Sequence, residues 1–125
     1  MKREVHKKGR RKYGYFIEQD NGLKIYMALR SLGQIYREKE PSLSEAMRNG
    51  KACWAIDITT LMAARRKGCT VICIKTKNNG IYFTKLGKFF DTSRTKVLDY
   101  SAKGGSLQKT LPLTEFLHVD SQISL

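Results

Sequence analysis

The apolar positions change period along the chain. Leu23, Ile25 and Met27 alternate with Lys24 and Tyr26, the period of two expected of a strand with one face on a core. Upstream, residues 13–19 are aromatic and β-branched, and Asp20-Asn21-Gly22 is a turn tripeptide whose Asn and Gly tolerate positive φ. The pattern predicts a β-hairpin over 13–28. The period then lengthens: Leu29, Leu32, Ile35 and Tyr36 fall at helical spacing, with Arg30, Arg37, Glu38 and Lys39 outside. This predicts a helix over about 28–39, ended by Pro41. Ser42 or Ser44 can cap a short helix through Met47, closed by Asn49-Gly50.

Ala52-Cys53-Trp54-Ala55-Ile56 is an apolar run of strand length. Asp57 stands where a helix N-cap is wanted for Ile58–Lys67, with Leu61 and Met62 toward the core. Arg65, Arg66 and Lys67 sit in the last turn, where cations suit the helix dipole, and Gly68 suits the stop. Residues 69–76 read as a strand, Asn78-Asn79-Gly80 as a hairpin turn and Ile81–Lys85 as the return strand. Further strands are expected at 94–100 and 107–113, joined by a loop over 101–106. Leu86-Gly-Lys-Phe-Phe-Asp91 is echoed by Leu113-Thr-Glu-Phe-Leu-His118, and each can form a short turn that drops apolar groups onto the core.

The expected fold is therefore α+β: a small single domain over 13–119, with an antiparallel sheet of hairpins packed against two or three helices. Residues 1–12 lack periodic apolar positions and read as a disordered basic N-terminal arm, and 120–125 as a frayed tail. A chain of 125 residues holds one core. No apolar run nears the roughly 20 residues of a membrane span, and the basic start lacks the apolar segment of a secretory signal. Cys53, Cys69 and Cys73 are odd in number and irregular in spacing, which favours a reducing, cytoplasmic setting and inert core thiols over a disulfide framework. No second Cys/His pair completes a zinc site, and no clustered carboxylates offer a magnesium site, so no metal or cofactor is expected.

Charge changes the picture most. The net charge is +13 and it is blocked along the chain. Residues 1–12 carry seven cations against Glu4, net +6; residues 13–63 carry six of each sign; residues 64–109 carry eleven cations against Asp91 and Asp99, net +9. Self-repulsion at this level costs stability, and an anionic partner offsets it. The blocked pattern points to nucleic acid, DNA or RNA, held by its phosphate backbone.

Three groups of residues are candidates for that contact. The first is the arm, with Lys7, Lys8, Arg10, Arg11 and Lys12. The second is the end of the 58–67 helix with the hairpin after it: Arg65, Arg66, Lys67, Lys75, Lys77, Tyr82, as a residue that could stack on a base, and Lys85. The third is the stretch holding Arg94, Lys103, Gly104, Gly105, Ser106, Gln108 and Lys109, whose paired glycines allow a backbone anion nest but lack the Walker spacing. The size and charge suit a phage or mobile-element accessory factor.

Two other classes compete. One is a metal-independent, toxin-like RNA-cleaving enzyme using His118 with Arg94, Lys109 and Tyr100, since such acid–base chemistry has no fixed motif. The other is an inhibitor or interaction protein that docks on an acidic protein or joins a ribonucleoprotein.

Overall fold

The structure, a computed structural model, describes residues 1–91, 94–98 and 106–120. Among the described residues it is α+β, built on two sheets and three helices. The strands are β1 (Lys2–Lys8), β2 (Arg11–Glu18), β3 (Lys24–Arg30), β4 (Cys53–Asp57), β5 (Val71–Thr76), β6 (Ile81–Lys85), β7 (Arg94–Leu98), β8 (Ser106–Pro112) and β9 (Leu117–Val119). The helices are α1 (Leu43–Arg48), α2 (Ile58–Arg66) and α3 (Gly87–Asp91). The large sheet runs β1-β2-β3-β5-β6-β9 and the small one β4-β8-β7. Pairing is mostly antiparallel, but β3 and β5 run parallel, from Ile25 opposite Val71 to Arg30 opposite Thr76. A parallel pair needs a long crossover. Here the crossover carries α1, β4 and α2.

The expected disordered arm is a strand. β1 pairs with β2 from Lys2 opposite Glu18 to Lys8 opposite Arg11, with a bulge between His6 and Lys7. The connection is the two-residue turn Gly9-Arg10, in which Gly9 has φ 62°. Glycine opening a two-residue turn matches the right-handed twist of the flanking strands. β1 is tied inward by His6, whose Nε2 hydrogen-bonds Thr60 Oγ1 at 3.0 Å. Its ring also meets Phe16 edge-on at 5.2 Å.

The expected helix over 28–39 is absent. Strand β3 continues through Arg30, a single turn of 3-10 helix covers Leu32–Gln34, and Tyr36 forms a β-bridge with Cys53. The pairing of Ala28, Leu29 and Arg30 with β5 overrides the helical spacing of Leu29, Leu32 and Ile35. The helices α1 and α2 and the β5–β6 hairpin follow the sequence pattern, but of the two α2 residues expected to face the core Leu61 is buried and Met62 is exposed, because Thr60, Leu61 and Ala64 form the inward stripe. Ser42 caps α1 through Glu45 N–H. Asp57 holds the N-cap position of α2 but makes no side-chain capping bond.

The main core lies between the two sheets. Phe16, Tyr26, Ile72, Ile74 and Tyr82 of the large sheet meet Trp54, Ile56 and Leu111 of the small one, with Leu61 and Ala64 from α2 and Phe89 from α3. Trp54 stands edge-on to Tyr82 at 5.5 Å. Complete burial of a Leu61 or Ile72 side chain is worth roughly 2–3 kcal/mol, against about 0–1 for an exposed ion pair such as Lys67–Glu4. Apolar packing therefore holds the sheets together. A second cluster of Ile17, Ile25, Met27, Cys73 and Ile81, flanked by Tyr15, Leu23, Val71 and Phe83, covers the opposite face of the large sheet. Its members come from the large sheet and from Leu23 beside β3.

Candidate nucleic-acid interface

Strand direction brings cations together at one end of the large sheet. The parallel pair β3–β5 ends side by side, with Leu29 opposite Lys75. Strand β2 begins at that end, since Gly14 lies opposite Ala28, and β1 finishes there, with Lys7 opposite Lys12. Lys7, Arg10, Arg11 and Lys12 of the first hairpin thus share an end of the sheet with Arg30, Lys75 and Lys77. Arg30 is held in place by donating from Nη1 to Leu29 O at 3.0 Å and Tyr13 O at 3.4 Å. Lys7, Arg10, Arg11, Lys12 and Lys77 are exposed, and Lys75 is half-buried.

The face that carries the second cluster adjoins this end. Paired residues share a face of a sheet, so the register gives its rows. One row runs Arg3, Ile17, Ile25, Val71, Lys85. The next runs Val5, Tyr15, Met27, Cys73, Phe83, Leu117. A third runs Leu29, Lys75, Ile81, Val119. These rows hold three cations and no carboxylate. The middle is packed, with Met27 and Cys73 buried, while Val5, Leu29 and Leu117 at its margins are exposed.

Tyr15 is the most elaborated group on this face. The Arg3 guanidinium lies 4.6 Å from its ring centroid and the Lys12 ammonium 5.4 Å. Lys12 also hydrogen-bonds the phenol oxygen, which draws the phenol below its ordinary range; desolvation opposes this, and the positive charges of Lys12, Arg3 and Lys75 add to the lowering. Arg3, Tyr15 and Phe83 of this face, and Arg30 at the end of the sheet, were not singled out in the sequence. The signal that could have found the first two is the Gly9-Arg10 turn, which folds β1 back along β2.

The other candidates are dispersed. Arg65, Arg66 and Lys67 are exposed at the end of α2, which lies on the core side of the large sheet. Lys67 pairs with Glu4 at 2.9 Å, and the Arg65 guanidinium lies 5.0 Å from the Phe90 ring. Lys85 is exposed on the second face. Lys8 lies opposite Arg11, and Arg94 opposite Thr110 in the small sheet. Ser106 opens β8, Lys109 is half-buried there, and Gln108 is buried, so Gln108 is not a free arm for phosphate or base. Lys103, Gly104, Gly105 and Tyr100 lie outside the described residues.

Tyr82 also departs from expectation. It is 3% exposed, because its face of β6 packs on Trp54. It is a core residue and offers no surface for a base. Burial raises its phenol, opposed by the hydrogen bond from Asn79. His118 lies parallel to Tyr82 and its Nε2–H donates to Asn79 O at 2.6 Å. Nδ1 faces Asp120 at 3.3 Å. These contacts fasten β9 to the turn after β5.

The three cysteines are buried thiols outside any disulfide. Burial pushes the Cys73 thiol up to about 11 and raises that of Cys69, so neither is activated as a nucleophile. Among the described residues no group of three or more His, Cys, Asp or Glu side chains could hold a metal ion, and no helix is long and apolar enough to cross a membrane. No protein-family model, curated protein or solved structure matches the chain.

Proposed function

We propose that the protein binds nucleic acid through its phosphate backbone, using the cationic end of the large sheet. The observation that carries this reading is the convergence of Lys7, Arg10, Arg11, Lys12, Arg30, Lys75 and Lys77, distant in sequence, beside a sheet face whose rows hold no acid. Like charges held side by side repel, and a partner with regularly spaced anions relieves the repulsion. The strands, with the turns at Arg10 and Lys77, set the backbone spacing of these cations, so little order need be gained on contact. An extended, sequence-independent backbone fits such a row better than one acidic side chain.

Measuring affinity against salt tests the proposal. Engagement of about six phosphates implies a log–log slope near −5 on duplex DNA, and a loss of roughly a thousandfold between 50 and 200 mM salt. Replacing Lys75 and Lys77 together by Ala should flatten that slope by about one to two and weaken all sequences equally. Binding that is absent, or insensitive to salt, for every nucleic acid tried would refute the proposal and leave an acidic protein as the better partner.

A further inference from the structure

We infer that the face of the large sheet bearing Tyr15 takes single-stranded nucleic acid, with an unpaired base stacked on the Tyr15 ring in place of the cations that now cover it. The inference rests on the proposed nucleic-acid binding and names its substrate class.

Tyr15 is half-buried, in register between the exposed Val5 and the buried Met27. Its ring packs against the cluster of Ile17, Met27 and Cys73, which fixes it as part of a firm apolar bed. Its covering is ionic and comes from the ends of two long flexible side chains, Arg3 at 4.6 Å and Lys12 at 5.4 Å. Both cations are exposed. Cations at exposed positions are weakly held on a ring and readily exchanged. A base can exchange for it, because a nucleobase brings a π-face of its own and the phosphates on either side of it. The displaced Arg3 and Lys12 then move onto those phosphates, so the ring contact and the ion pairs form together.

The same arrangement favours a single strand over a duplex. Paired bases are already stacked on their neighbours and present only edges in the grooves, so the Tyr15 ring has no face to meet. A duplex is left with the cations alone. Stacking on an aromatic side chain is tolerant of base identity, so the discrimination is by strandedness and not by sequence.

The test compares wild type, Tyr15→Phe and Tyr15→Leu, binding a labelled oligouridine, a labelled oligothymidine and a duplex of equal length across a salt series. The expected result for Tyr15→Leu is a loss of about tenfold on both single strands. Its salt slope should stay unchanged and its duplex affinity should hold within about twofold, while Tyr15→Phe binds as wild type. Equal losses on single strand and duplex, or no loss on either, overturn the inference while leaving phosphate binding intact. Absence of any salt-sensitive binding by the wild type removes both. Photo-crosslinking of the wild-type chain to a bromouridine oligonucleotide reads the same contact without a variant. A crosslink at Tyr15 supports the inference, and crosslinks confined to α2 or the small sheet overturn it.

Discussion

His118 lies flat on Tyr82, with ring centroids 4.0 Å apart and planes 4° from parallel. Around the pair, Asn79 Nδ2 donates to Tyr82 Oη at 2.8 Å, and Thr76 Oγ1 donates to Gly80 O at 2.7 Å. The histidine is thus a clasp that holds the three-residue strand β9 to the β5–β6 turn. An aromatic pair of this kind is worth about 0.5–1.5 kcal/mol, and a hydrogen bond about 1 kcal/mol. His118→Ala should lose about 1–2 kcal/mol in urea unfolding and keep nucleic-acid affinity. Loss of an RNA-cleaving activity in this variant, with stability intact, would restore His118 as an acid–base group.

Gly80 is the second part of that clasp. It has φ 73°, and a Cβ built there would overlap the Val119 carbonyl across the β6–β9 pair. Gly80→Ala should therefore cost about 3 kcal/mol or more, through left-handed strain and displacement of β9 together. Thermal unfolding followed by circular dichroism gives the measurement. A change under about 1 kcal/mol would mean that β9 shifts freely.

Deleting residues 1–8 separates a strand from a tail. β1 supplies the whole outer pairing of β2, the His6–Thr60 hydrogen bond and the Glu4–Lys67 ion pair. Without it the backbone groups of β2 are left as a bare edge, which pairs readily with other chains. The truncated chain should melt at a clearly lower temperature and aggregate on heating. An unchanged melting temperature would show that β1 adds nothing to the fold.

How much of this could be read from the sequence depends on whether the signal is local. The Asn78-Asn79-Gly80 hairpin and the Ser42 cap are local, and both are present. The repeated Leu-x-x-Phe is also real in space. Phe89 N–H donates to Leu86 O and Phe116 N–H to Leu113 O, both at 3.0 Å, and the two rings meet at 6.0 Å. The parallel pairing of β3 with β5 is not local. Forty residues separate these strands, and only that pairing overrides the helical spacing after Met27. The face bearing Tyr15 was hidden for a related reason. β6 carries aromatic side chains on both faces, so alternation alone cannot tell that Tyr82 is core and Phe83 belongs to the second face.

Tyr26 sets the response to alkaline pH. Its hydroxyl is buried and, among the described residues, has no hydrogen-bond partner, and desolvation pushes its phenol up to about 12. The Cys73 thiol is pushed from 9.0 to about 11 for the same reason. Both groups fold in the protonated form, so the stability they contribute is complete below the unfolded values of 9.0 and 10.0. As pH rises past 9, the unfolded chain gives up these protons first. Stability then falls until each folded group titrates, near 11 and 12. A rise of this size corresponds to roughly 2–3 kcal/mol for each group. Tyr26→Phe should remove one part of that decline. It should also leave the protein at neutral pH as stable as wild type or about 1 kcal/mol more stable, because a buried hydroxyl without a partner is a cost. Urea unfolding at pH 7, 9 and 10.5 reads both effects. A Tyr26→Phe protein that is less stable at pH 7 by more than about 1 kcal/mol would show that the hydroxyl is bonded, and an alkaline decline matching that of wild type would show that Tyr26 has no part in it.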